Sequence, residues 1–234
     1  MELEKFIWKF VSKDKFKPAM CGVYMDPEEK AAVATDAHVM LVCHELYDPL
    51  KSDLIVYKDG SSLKNGTYTN IPADSKLTQH VRYPNWKPAI PREYRERESK
   101  KQQRSKYDTV YEEVFIDAWF KDRVLAATKL SNLPQFKGCQ ISVCVHRGRD
   151  YWVAPRFAKM MMSWGLKGWH LKHSSSPAIN ERSDGDLMMV MPMMPIYEND
   201  DFIAKDYGIK LPWTENEKDI VLKIVKDEFD LPIM

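Results

Sequence analysis

The stretch YWVAPRFAKMMMSWGL, residues 151–166, changes character in its middle, and that change sets the fold class. Tyr151 to Val153 are aromatic or β-branched and suit a strand. Pro155 then fits the first turn of a helix, where its missing N–H costs nothing. Beyond it, Phe157, Met161 and Trp164 fall on one helical face. A second stretch, VFIDAWFKDRVLAATKL at residues 114–130, repeats the arrangement. Asp117 stands at an N-cap position, and Phe120, Val124 and Ala127 share a face. Each helix is followed by a strand candidate, Gln140 to Val145 after the first and Gly168 to Lys172 after the second. Such repeated units predict an α+β fold with helices packed on one face of an antiparallel sheet.

Upstream the chain reads as β. Leu3 to Val11 is rich in aromatic and β-branched residues, and Gly22 to Met25 is a short apolar run. Asp26-Pro27 marks a turn before Ala31 to Ala34, and Met40 to Cys43 continues the apolar pattern. Leu54 to Tyr57 and Gly66 to Ile71 are shorter strands, with a turn at Lys58-Asp59-Gly60-Ser61. REYRERESKKQQRSKYD, residues 92–108, then holds seven Lys/Arg and no aliphatic residue. It is a solvated linker, or a basic arm for phosphates diluted by its glutamates. Asp186 to Ile196 supplies a late strand stopped by Pro192 and Pro195. In the tail, Thr214 and Glu217 have capping-box spacing ahead of Ile220, Val221, Ile224 and Val225, which predicts a terminal helix. The expected organisation is a mostly β domain over 1–95, a charged linker over 96–112, a second domain over 113–195 and a C-terminal extension over 196–234.

Composition narrows the functional classes. A formal net charge of +1 predicts no global attraction to nucleic acid, so any DNA contact needs charge gathered on one face. The four cysteines, Cys21, Cys43, Cys139 and Cys144, form no CxxC pair and suit a reducing compartment. No stretch approaches the roughly 18 apolar residues of a membrane span. A cytoplasmic protein without a membrane partner is expected.

VATDAHVMLVCHE, residues 33–45, gathers Thr35, Asp36 and His38, which invites a catalytic reading. No nucleophile motif or glycine-rich phosphate loop joins them. His170 and His173, three apart on a strand, face opposite ways and make a poor metal pair. Asp184 with Asp186 and Asp200 with Asp201 sit in turn-like or solvated contexts. No catalytic residue, metal site or cofactor is expected. The knot reads instead as a strand corner that Asp36 ties down. Met160 to Met162 and Met188, Met189, Met191, Met193 and Met194 fill a core or line a surface for varied peptides.

Five stretches, in order, resemble the bacterial sliding clamp, the β subunit of DNA polymerase III. FKPAMCGVYMDPEEKAAVATDAHVMLV resembles its middle domain, where R-P/Y-x-L-N-G-V leads into A-T-D-G-H-R-L. RYPNWKPAIPRE resembles F-P-D-Y-R-R-V-L-P, and DGDLMMVMPMM resembles the final strand ending V-V-M-P-M-R-L. VFIDAWFKDRVLAATKLSNLPQFKG and YWVAPRFAKMMMSWG resemble helices of the last domain. The motif glycine is Ala37 here and its arginine is Val39. The first clamp domain has no counterpart.

The resemblance implies a shortened, DNA-clamp-like protein of replication with no active site. It implies non-specific contact with double-stranded DNA through Lys121, Arg123, Lys129, Arg156 and Lys159. It further implies that a DNA polymerase or another replication protein inserts a short peptide into an apolar groove. That groove maps to Thr35, Ala37, His38, Met40, Pro91, Met189, Met191, Pro192 and Met193. A two-domain chain closes a six-domain ring only as a homo-oligomer, a trimer. Two further readings keep the fold: an adaptor that binds peptides without encircling DNA, and a diverged enzyme or ligand-binding module. EFDLPIM, residues 228–234, faintly resembles the peptides that clamps bind, which implies a tail able to occupy such a groove.

Overall fold

The computed structural model describes residues 2–70, 78–91, 94, 112–114, 116, 118–136, 141–146, 151–172, 174–193 and 209–210. Its helices are α1 (Leu3–Ile7), α2 (Ala118–Asn132) and α3 (Pro155–Trp164). The first strands are β1 (Val23–Asp26), β2 (Ala31–Thr35), β3 (Val39–Cys43), β4 (Leu54–Val56), β5 (Ser62–Lys64), β6 (Thr67–Asn70) and β7 (Thr78–Val81). They are followed by β8 (Glu112–Val114), β9 (Ser142–Cys144), β10 (Trp152–Val153), β11 (Trp169–Leu171), β12 (Ala178–Glu181), β13 (Leu187–Val190) and β14 (Ile209–Lys210). The chain divides into two compact units, Met1–Tyr111 with Ile179–Val190, and Glu112–Ala178 with Met191–Met234. The class is α+β.

In the first unit the strands run in the order β5-β4-β1-β2-β3-β13-β12, with β6 and β7 as a separate hairpin. β2 and β3 are buried at every position, so small and branched residues fill both faces. The β1–β2 turn is built by Asp26, whose Oδ1 accepts from the amides of Glu28 (2.9 Å) and Glu29 (3.2 Å). Its Oδ2 accepts from the indole N–H of Trp86 at 2.8 Å. Lys87 Nζ then bridges Glu28 (2.7 Å) and Glu29 (2.8 Å), and these two carboxylates push its pKa upward. The core gathers Val33, Met40, Val42, Ile55, Tyr83, Trp86, Ile179, Leu187 and Met189.

Leu3 to Val11, expected as a strand, begins instead as helix α1. Phe6, Ile7 and Phe10 are buried at helical spacing, and the Phe6 and Phe10 rings meet edge to face at 5.1 Å. The exposed Lys5 precedes them and the exposed Lys9 falls between Ile7 and Phe10, so the period of three to four overrode the strand propensity of the residue types. The late strand differs too. Expected to close the second domain, β13 pairs with β3 of the first unit, Leu187 opposite Val42 and Val190 opposite Val39. The buried carboxylate of Asp186 leads into it. Asp186 Oδ1 accepts from the His44 amide at 2.7 Å, and Oδ2 from the Cys43 thiol at 3.1 Å.

In the second unit α2 packs on α3 and on β9. β9 lies between β10 and β14, and β8 pairs with β11. Phe120, Val124 and Ala127 are buried on one face of α2, and Phe157, Met161 and Trp164 on one face of α3. Pro155 occupies the first turn of α3 as expected, and Gly165, with φ +153°, ends it. Asp117, the capping box at Thr214 and Glu217, most of the charged stretch 92–108 and residues 228–234 lie outside the described residues.

Two stability predictions follow from the first unit. Asp186→Ala leaves the His44 amide and Cys43 thiol without their acceptor, and should lower the unfolding free energy by about 2 kcal/mol. An unchanged urea midpoint would show that the carboxylate does not tie these strands. Burial, reinforced by donation to Asp186, pushes the Cys43 thiol from 9.0 up to about 12. Burial also pushes the Tyr24 phenol from 10.0 up to about 12, and raises those of Tyr57 and Tyr83. The native state holds these protons more tightly than the unfolded chain. Their stabilisation is therefore complete below pH 9.0 and is lost as pH rises toward about 12. Urea titrations at stepped alkaline pH should show the midpoint falling across that window.

Candidate functional site: a strained turn and a helix pair

The corner between β2 and β3 is held almost entirely by its own side chains. Thr35 Oγ1 donates to the Val39 carbonyl at 2.7 Å and accepts from the Ala37 amide at 3.1 Å. Asp36 Oδ1 accepts from the amides of His38 (2.9 Å) and Val39 (3.0 Å), as expected of the residue that ties the turn. The backbone then reverses at Ala37, where φ is +77°. A Cβ is disfavoured in that region, and glycine is the residue it suits. Ala37 and His38 are exposed, while Thr35 and Val39 are buried. The turn is thus a rigid, outward-facing pair of residues on a closed hydrogen-bonded base.

Of the nine residues mapped to a peptide groove, the first unit brings Thr35, Met40 and Met189 together across neighbouring strands. Thr35 pairs with Met40, and Met40 with Met189. Met40 and Met189 are 2% and 5% exposed, however, so both belong to the core in this structure. Met188, at 0%, is packed just as tightly. Pro91 is half-buried and follows the short helical turn Lys87–Ala89. Met191, Pro192 and Met193 belong to the second unit, are half-buried, and are anchored by the Met193 amide donating to the Trp152 carbonyl at 2.7 Å. Met194 lies outside the described residues.

The cations expected to meet DNA lie on α2 and α3, which pack together. Lys121, Lys129, Arg156 and Lys159 are exposed. Arg123 is a correction: it is 6% exposed, with its guanidinium 5.2 Å from the Trp119 ring centroid, and does not present itself to a phosphate. Its position one turn before Ala126 and Ala127 carries it onto the buried side of the helix, where its stem fills core volume.

Cys43, His44 and Asp186 meet in space and superficially suggest nucleophilic chemistry. The thiol is fully buried, donates its proton to the carboxylate and is pushed up to about 12, the reverse of an activated thiolate. Among the described residues no three His, Cys, Asp or Glu side chains are grouped to hold a metal ion, and no helix is long and apolar enough to cross a membrane. Two features escaped sequence reading. The Asp186 latch joins residues 142 and 143 positions apart, a separation that no local pattern shows. The other is Phe16, an aromatic residue that is 79% exposed, where an aromatic side chain is read as core by default.

No family model matches the chain, and no curated protein sequence matches it. Among solved structures it is similar to the DNA polymerase III beta subunit from Thermotoga maritima, at 13% identity and a TM-score of 0.43, over 82% of this chain and 63% of that one. It is also similar to the sliding clamp, DNA polymerase III subunit beta, from Bartonella birtlesii bound to griselimycin, at 10% identity and a TM-score of 0.46, over 82% of this chain and 65% of that one. The chain therefore spans less than two thirds of the length of either.

Proposed function

We propose that the chain is a non-catalytic, sliding-clamp-like docking protein of DNA replication. A short apolar peptide of a polymerase or another replication protein is held at the turn Thr35–Val39 of the first unit. Duplex DNA is held without base readout by Lys121, Lys129, Arg156 and Lys159, since phosphate contacts position a protein without specifying sequence. The observation that carries the reading is the backbone of Ala37. The sequence resemblance aligns it with the glycine of A-T-D-G-H-R-L, and Ala37 adopts the left-handed conformation that a glycine there supplies, φ +77°. An alanine would not be expected to hold that geometry unless the surrounding hydrogen bonds imposed it.

A second reading keeps the peptide site and drops the DNA ring: an adaptor that binds partners without encircling a duplex. The burial of Arg123 favours it, because it removes one cation from the helix face that would line a ring. Light scattering separates the two. A strict monomer at high protein concentration eliminates a trimeric ring and leaves the adaptor.

The turn makes its own prediction. Ala37→Gly relieves the left-handed strain, partly offset by glycine's greater unfolded-state freedom, and should raise stability by about 0.5–1 kcal/mol. Destabilisation would mean that the strain is not there. For function, His38→Ala should weaken a labelled clamp-binding peptide by about tenfold in fluorescence anisotropy. If it leaves affinity unchanged, the peptide site is misplaced. For DNA, the logarithm of affinity should fall with the logarithm of salt by roughly 0.9 per phosphate contacted. Lys121→Ala with Lys159→Ala should flatten that slope, and no binding to duplex at low salt would leave the adaptor reading standing alone.

A further inference from the structure

Phe16 is 79% exposed, yet it does not sit on a loose segment. The loop that carries it is closed at its base by the Ser12 amide donating to the Met20 carbonyl at 2.7 Å. Inside that closure, Ser12 Oγ accepts from the Asp14 amide (3.1 Å), and Asp14 Oδ1 accepts from the Phe16 amide (3.0 Å). The Asp14 carbonyl accepts from the Lys17 amide (2.9 Å) and the Cys21 thiol (3.2 Å). Four donors thus converge on Ser12 and Asp14 and hold the ring outward. Lys13, Lys15 and Lys17 flank it in sequence, all exposed. The carboxylate among them is already engaged, with one oxygen on the Phe16 amide and the other 3.8 Å from Lys17 Nζ.

The other exposed apolar side chains lack this combination. Leu50, at 93%, lies between Asp48 and Lys51, whose ion pair leaves no excess charge beside it. Tyr68 lies against the His80 ring at 4.7 Å. Leu125, at 57%, stands on α2 between the exposed Lys121 and Lys129. Phe16 differs from it in being more exposed and in being carried on a loop whose own hydrogen bonds fix it.

We propose that the Ser12–Met20 loop is a docking point for an acidic segment of a partner protein, one carrying an aromatic or branched apolar residue between carboxylates. The ring and the methylene stems of the lysines form an apolar seat for that residue. The ammonium groups at its rim pair with the flanking carboxylates. Because the loop is already fixed, binding orders little on this side, and a single exposed aromatic anchor can carry much of the affinity. A membrane surface fits less well, since one inserted ring gives marginal attachment. The inference stands independently of the peptide site proposed at Thr35–Val39.

Its test is an amide-resolved NMR titration of the whole chain with the synthetic peptide Glu-Asp-Phe-Asp-Glu-Leu. Shift changes should concentrate on residues 12–20 and weaken as salt is raised. Phe16→Ala and, separately, Lys13→Glu with Lys15→Glu should each raise the dissociation constant by about tenfold or more. His38→Ala should leave it unchanged, which distinguishes this surface from the turn. Thermal melts should be unaltered, because the replaced side chains are exposed. Shift changes centred elsewhere, or none at millimolar peptide, overturn the proposal. So does Phe16-dependent binding of a single-stranded oligonucleotide or of anionic vesicles where the peptide does not bind.

Discussion

The first unit depends on one buried carboxylate. β3 and β13 read VMLVC and LMMV and are buried on both faces, so neither strand has a polar side to set it the right way round. A slip of one residue would exchange one apolar face for another at little cost, the circumstance in which register is weakly specified. Asp186 removes that ambiguity. It accepts from the His44 amide and the Cys43 thiol at one end of the pair, which fixes Leu187 opposite Val42. Burying a carboxylate is costly unless its oxygens find donors, and here both do. The polar contact thus supplies uniqueness where the apolar surfaces supply only attraction.

At the other end of β3 the same logic holds a strained residue in place. Thr35 and Asp36 satisfy the amides of Ala37, His38 and Val39, so the corner cannot relax without losing several hydrogen bonds at once. The left-handed backbone of Ala37 persists because its surroundings over-determine it. Exposure of Ala37 and His38 above a buried base gives a partner a fixed feature to meet, at little entropic cost.

How much of this the sequence disclosed follows from what each signal measures. The helix faces of α2 and α3 were legible because the 3.6-residue period survives in Phe120, Val124 and Ala127 and in Phe157, Met161 and Trp164. The turns were legible because aspartate before proline, glycine or a small residue has a local mechanism. α1 was misread, since propensity favoured a strand while the spacing of Phe6, Ile7 and Phe10 demanded a helix. The partner of β13 was not legible at all: continuous apolar strands carry no period to compare, and the latch that selects the partner acts across the chain. Arg123 was misassigned for a related reason. A cation on an amphipathic helix is read as solvent-facing by default, and a long stem over an indole ring is a packing solution that charge alone does not reveal.

The aspartates explain why a chain of formal charge +1 still presents basic surfaces. Asp14, Asp26, Asp36, Asp48, Asp59 and Asp184 each accept from a backbone amide two residues on. Their charge is committed to the turns that shape the first unit and lies close to the backbone. Lysines in the same loops carry their charge on long stems, beyond that layer. A partner therefore meets ammonium groups first, with the compensating carboxylates set behind them. Net charge counts the two equally, but the local field at the loop tips does not. The turn chemistry that builds the fold also separates its charges, and the loop at Phe16 is where that separation coincides with an exposed apolar anchor.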